Sequence, residues 1–142
     1  MTIKETQDNL IKEFEAYDNW DDKYSHLIKL GRELPEFPDD YRSEKNKIEG
    51  CQSQVWMNAK LENGAMIIEA DSDAMIVKGL IALLVKIYSG HPPSEILVSP
   101  PEFLQKIGID KHLSLTRKNG LGAMLKQIQL YAVAFKAMEV KD

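Results

Sequence analysis

Apolar positions along this chain change their period twice. From Ile3 to Leu30 they recur at helical spacing, from Val55 to Asp71 they alternate, and beyond Ile76 the helical spacing returns. Thr2-Ile3-Lys4-Glu5 has the form of a capping box, with Thr2 as N-cap and Glu5 reaching back. Leu10, Ile11, Phe14 and Tyr17 then share one helical face, and Asp18-Asn19 breaks it. A second helix is predicted from about Trp20 to Leu30, with Trp20, Tyr24, Leu27 and Ile28 on its inner face and Gly31 as its C-cap. The short connection makes the two an antiparallel helical hairpin. Pro35 and Pro38 mark an irregular connector, Tyr41 to Asn46 a polar stretch with room for a helical turn, and Lys47-Ile48-Glu49 a short strand.

The clearest strand is Val55 to Glu62, with Val55, Met57, Ala59 and Leu61 on one face and Trp56, Asn58, Lys60 and Glu62 on the other. Asn63-Gly64 is a type I′ turn signal, because both central residues of that turn need positive φ. The return strand is Ala65 to Asp71. A two-residue turn sets Leu61 opposite Met66, Ala59 opposite Ile68 and Met57 opposite Ala70, an apolar face that fixes the register.

Asp71-Ser72-Asp73 offers N-caps for a helix over Asp73 to Tyr88, apolar almost all round and so central and buried. Pro100-Pro101 precedes a short helix from Glu102 to Ile107. Leu113 to Lys118 reads as a connector, and a last helix runs from Asn119 to about Met138 with Leu121, Met124, Leu125, Ile128, Ala132 and Phe135 as its stripe. The fold class is α+β: a small, mainly antiparallel sheet of three strands packed against helices, in one domain over residues 1–142.

Composition narrows the function. A chain of 142 residues with 44% hydrophobic and 28% charged residues suits one ordinary core. The net charge of -4 and the scattered Lys and Arg give no basic face for nucleic acid. The apolar run from Gly79 to Val85 is too short to span a bilayer, and the early acids do not fit a secretory signal, so a cytoplasmic protein is expected. The single cysteine can make neither an internal disulfide nor, alone, a thiolate metal site.

That cysteine, Cys51, follows Gly50, is succeeded by Gln52, Ser53 and Gln54, and leads straight into the first strand. These are poor core neighbours, and Gly50 permits a backbone turn. A cysteine hydrolase needs a base within hydrogen-bond reach, and His26, His91 and His112 lie in or beside different elements with no nucleophile-partner motif. An iron–sulfur scaffold needs several thiolates. One thiol suffices for exchange with a sulfur held by another protein, because the partner supplies the second sulfur.

Ile48-Glu49-Gly50-Cys51-Gln52-Ser53-Gln54-Val55-Trp56 resembles the signature of the SufE family of sulfur-acceptor proteins. Leu30 to Pro35, Asp71-Ser72-Asp73-Ala74 with Ile76 to Leu80, and Leu115-Thr116-Arg117-Lys118-Asn119-Gly120-Leu121 extend the resemblance over nearly the whole chain, Thr116 standing where serine is common. The resemblance implies an α+β fold shared with iron–sulfur scaffolds of the IscU type. It implies a carrier that accepts persulfide sulfur on Cys51 from a cysteine desulfurase, stimulates that enzyme and passes the sulfur to an iron–sulfur scaffold, rather than a stand-alone enzyme. Pyridoxal phosphate would belong to the desulfurase, with no cofactor on this chain, no nucleic acid and no membrane involved. It also implies a resting thiol tucked beneath its loop.

Supporting residues keep two readings each. Gly50 is a hinge or merely a turn. Arg117 favours the thiolate or docks an acidic partner surface, or else makes a surface ion pair or cap. Asp71 and Asp73 match the family motif but are also natural N-caps. Gln52, Ser53 and Gln54 bind the loop backbone or a partner. Trp20 reads as core, and Trp56 as exposed or covered by the chain ends. The rival function is an adaptor that activates a desulfurase without carrying sulfur.

Overall fold

The computed structural model describes residues 1–140, so the last two residues of the expected domain lie outside the described residues. Helix α1 (Ile3–Glu15) starts on the expected capping box: Thr2 Oγ1 accepts from Glu5 N–H, and the Glu5 carboxylate accepts from Thr2 N–H. Helix α2 (Trp20–Arg32) is capped by Asn19, whose side chain accepts from Asp22 N–H at 2.8 Å. The two helices meet at His26, whose Nε2 lies 2.6 Å from Glu13 Oε1 and whose ring sits edge-on to Phe14.

Strands β1 (Val55–Glu62) and β2 (Ala65–Ser72) form the hairpin in the expected register, including Leu61 opposite Met66, Ala59 opposite Ile68 and Met57 opposite Ala70. Asn63 and Gly64 take φ of 52° and 82°, as a type I′ turn requires. The sheet has two strands rather than three. Lys47 makes only a single bridge to Trp56, because Gly50 at φ 90° turns the chain away after Ile48 N–H has reached the Val55 carbonyl. On the other edge Met66 bridges His91, and Pro92-Pro93 has no N–H with which to extend that ladder.

Helix α3 (Met75–Tyr88) lies between α2 and the apolar face of the hairpin, with Leu80, Ile81, Leu83, Leu84 and Ile87 fully buried. Gly31 is not the C-cap of α2; Glu33 is. Gly31 sits inside α2 because that helix rides directly on α3: a Cβ at Gly31 would lie 2.9 Å from Gly79 N, and one at Gly79 would lie 2.5 Å from Leu27 O. Two short helices follow, α4 (Pro93–Leu97) and α5 (Phe103–Lys106), the latter closed by Gly108 at φ 78°. The long helix α6 (Leu115–Val140) then packs along α4 and α3. It begins at Leu115 rather than at Asn119, so Arg117 belongs to its first turn and not to a connector. Ser114 Oγ accepts from Arg117 N–H at 3.2 Å and opens the helix there.

Asp71 is not a helix N-cap. It is 8% exposed at the end of β2, where it accepts a 2.5 Å hydrogen bond from Arg42 and sits 3.1 Å from Lys78 Nζ. The connector from Phe37 to Arg42 is thereby tied to the sheet and to α3, and the Arg42 guanidinium lies 6.0 Å from the Trp56 ring. Trp56 is half-buried, and Arg42 of this connector lies over its ring. Burial works to raise the Asp71 carboxyl, but the hydrogen bonds from Arg42 and Lys78 prevail and hold it below its ordinary value. A depressed carboxylate stabilises the fold above its unfolded pKa of about 3.9, and that contribution is lost as pH falls through the lower native value. Urea titrations of wild type and Asp71→Asn should therefore separate near neutrality, with wild type more stable, and converge at the acid end. Parallel curves at every pH would contradict the assigned role.

Candidate functional site

The segment from Glu49 to Gln54 is a loop tied firmly at its stem and lightly at its tip. Ile48 is buried, and its N–H donates to Val55 O at 2.8 Å. At the other end, Gln54 N–H donates to Asp73 Oδ1 at 3.0 Å, and Gln54 O accepts from Ser72 Oγ at 2.8 Å and from Asp73 N–H at 3.3 Å. This is the work that Asp73 does instead of capping α3, whose N-cap is Ala74 with no side-chain hydrogen bond. The tip, Gly50 to Ser53, carries one hydrogen bond among the described residues: Cys51 Sγ–H donates weakly to Gly120 O at 3.7 Å.

Cys51 is half-buried and packs against the apolar core beside α6. A Cβ at Gly120 would stand 3.6 Å from its sulfur, and one at Gly50 would stand 3.6 Å from the Ala123 methyl. Gly120, inside the helix, thus lies directly against the thiol, at ordinary van der Waals distance for an added methyl. Burial pushes the Cys51 thiol above its ordinary value. The seated group is protonated at neutral pH and is a poor nucleophile where it rests.

The thiol opens onto a cleft of about 410 Å³. One wall comes from the loop through Gln52 and Ser53, a second from the start of α3 through Ala74 and Val77, and a third from α6 through Ser114, Thr116, Arg117, Gly120 and Met124. Of the residues singled out from sequence, the fold brings Cys51, Gln52, Ser53 and Arg117 to this cleft. Gln54 and Asp73 hold its stem, while Asp71 lies on the stem's far side against Arg42. Arg117 is exposed at the cleft mouth. Trp20 lies at the edge of the core rather than within it, partly exposed and stacked on His112 with ring centroids 3.8 Å apart.

Ser114, Gly120 and Met124 were not legible as site residues. Ser114 had a signal, a hydroxyl three residues before Arg117; Asn119-Gly120 masked it by looking like the start of the helix. None of the three histidines lines the cleft. His26 is held by Glu13 and Tyr17, His91 sits 3.7 Å from Glu95, and His112 is on Trp20. Among the described residues, no three His, Cys, Asp or Glu side chains gather to hold a metal ion, and no helix is long and apolar enough to cross a membrane.

This geometry can be set beside known proteins. An uncharacterized SufE-like protein of Rhizobium etli is 43% identical over 127 residues, covering 86% of this chain and 86% of its own. A second, from Rhizobium meliloti, is 40% identical over 127 residues, covering 86% of this chain and 91% of its own. The solution structure of a hypothetical protein from Thermus thermophilus superposes with a TM-score of 0.76 over 91% of this chain and 94% of that one; at 21% identity it speaks for the fold alone. Residues 8–132 match the SufE domain, described as the Fe-S metabolism associated domain. The chain with its thiol seated against α6 thus belongs to the SufE family, whose domain is associated with iron–sulfur metabolism.

Proposed function

We propose that this protein is a sulfur carrier that takes persulfide sulfur from a cysteine desulfurase onto Cys51 and hands it on toward iron–sulfur cluster assembly. The observation that carries this reading is the seating of the only thiol: half-buried, protonated, free of any histidine base, and mounted on a loop tip held by one weak hydrogen bond. A thiol without a base is ill suited to hydrolysis but well suited to sulfur exchange once it leaves its seat.

The step balances without an added oxidant or reductant. Partner contact draws the tip out, and water and the partner's groups let Cys51 ionise. The thiolate attacks the outer sulfur of the donor's cysteine persulfide. A sulfur–sulfur bond forms on Cys51, the donor's sulfur–sulfur bond breaks, and the donor cysteine leaves as a thiolate. Return of the loop to its seat shields the new persulfide from small thiols and oxidants. Pyridoxal phosphate stays with the donor enzyme, and an iron–sulfur scaffold is the downstream acceptor.

Alanine release tests this reading. With a cysteine desulfurase and cysteine, release should rise as the protein is added, and prior alkylation of Cys51 should cancel the rise. Release indifferent to the protein, across more than one desulfurase, would sink it.

The loop also predicts its own behaviour. Gly50 has φ 90° in the seated state, a conformation that strains residues bearing a side chain. Gly50→Val should bias the loop toward its unseated form and speed alkylation of Cys51 in the isolated protein by about tenfold. An unchanged rate would mean that Gly50 serves only to turn the chain.

A further inference from the structure

The first turn of α6 forms a wall of the Cys51 cleft, yet nothing in that turn holds it down. Leu115, Thr116, Arg117, Lys118 and Asn119 are all exposed, and the first buried position of the helix is Gly120, which has no side chain. A helix start with no buried side chain frays unless something upstream fixes it.

The fixing lies on α2, far earlier in the chain. The Trp20 ring stacks on His112, with centroids 3.8 Å apart and planes 23° from parallel. The Tyr24 hydroxyl donates to the His112 carbonyl. Leu113, the next residue, is buried in the core, and Ser114 after it caps α6. Gly108 passes beneath the same indole, where a Cβ would stand 3.7 Å from Trp20 Cζ2. An unbroken path of contacts thus runs from α2 through His112 and Ser114 to the helix that covers the thiol.

We propose that Trp20, Tyr24 and His112 are positioning residues: they anchor the N-terminal turns of α6 against Cys51 and set how readily the thiol is uncovered. This rests on the reading of Cys51 as the sulfur-bearing group for its purpose, but not for its test. None of the three touches the thiol. They act through Ser114 and Gly120, so loosening the anchor frees the cover of the cleft while the loop stem and the core stay in place.

The test is alkylation of Cys51 by iodoacetamide in the isolated protein, which involves no sulfur donor and is readable whether or not Cys51 carries sulfur. Trp20→Leu and His112→Ala should each raise the rate roughly three- to tenfold, the factor that loss of one aromatic stack transmits to a local opening. Trp20→Phe, which keeps a ring to stack, should stay near wild type. The added opening should depend only weakly on urea, because it exposes one helix turn rather than the whole core. Wild-type rates in both Trp20→Leu and His112→Ala would overturn the proposal. So would a faster rate as steep in urea as global unfolding, since that marks a general loss of stability. Tyr24→Phe removes one hydroxyl and conserves packing; it should move the rate in the same direction even where Trp20→Leu folds poorly.

Discussion

Cys51→Ser should abolish sulfur acceptance and leave the desulfurase turning over at its unassisted rate. A hydroxyl in the same place cannot form the sulfur–sulfur bond on which the carrier step depends, and no second cysteine exists to take its place. The loss should be complete rather than partial. The substitution is nearly isosteric at a half-buried position with one weak hydrogen bond, so stability should stay within about 1 kcal/mol of wild type. That contrast separates a lost reaction from a lost fold. It also separates the two functions considered from the sequence. An adaptor that only reshapes the desulfurase would keep its acceleration in Cys51→Ser, and a carrier would not.

Gly79→Ala should destabilise the protein by about 3 kcal/mol, more than most single substitutions, even though it places a better helix former inside α3. The added methyl would fall 2.5 Å from the Leu27 carbonyl oxygen and 2.7 Å from Leu27 Cγ. A carbonyl inside another helix cannot swing aside as a flexible side chain would, so α2 and α3 must move apart and loosen their close contact. Gly122→Ala is the control. That glycine lies on the exposed side of α6 with nothing within 4 Å of a built Cβ, and the change should be neutral or stabilising by up to about 1 kcal/mol. Urea melts of the pair measure both. Equal stabilities in the two variants would mean that α2 and α3 do not approach as closely as Gly31 and Gly79 indicate.

The hairpin was legible to within one residue, Ser72 at the end of β2, because alternation, turn chemistry and register are all local: Val55 to Glu62, Asn63-Gly64 and the pairing of Met57 with Ala70 require nothing from the rest of the chain. The capping box of α1 was legible for the same reason. What was missed depends on partners far away in sequence. Gly31 looks like a helix stop until Gly79 is known to lie against it. Asn119-Gly120 looks like a helix start until Ser114 is seen to cap α6 before Leu115. Asp71 and Asp73 look like caps until Arg42 and the backbone of Gln54 arrive beside them. The third strand failed because one glycine at φ 90° ended it after a single bridge. Of the site, the family signature picked out Cys51 and its neighbours, and Arg117 on the same cleft. The rest of the α6 wall, Ser114, Thr116, Gly120 and Met124, emerges only when α6 folds back over the loop.

The most direct measurement is a mass spectrum of the Cys51 peptide after the protein has been mixed with a cysteine desulfurase and cysteine in the absence of reductant. A carrier gains the mass of one or more sulfur atoms on that peptide, and loses it again on treatment with a reducing thiol. A Cys51 peptide of unchanged mass, in a mixture where the desulfurase is nonetheless accelerated, would contradict the carrier and leave an adaptor in its place.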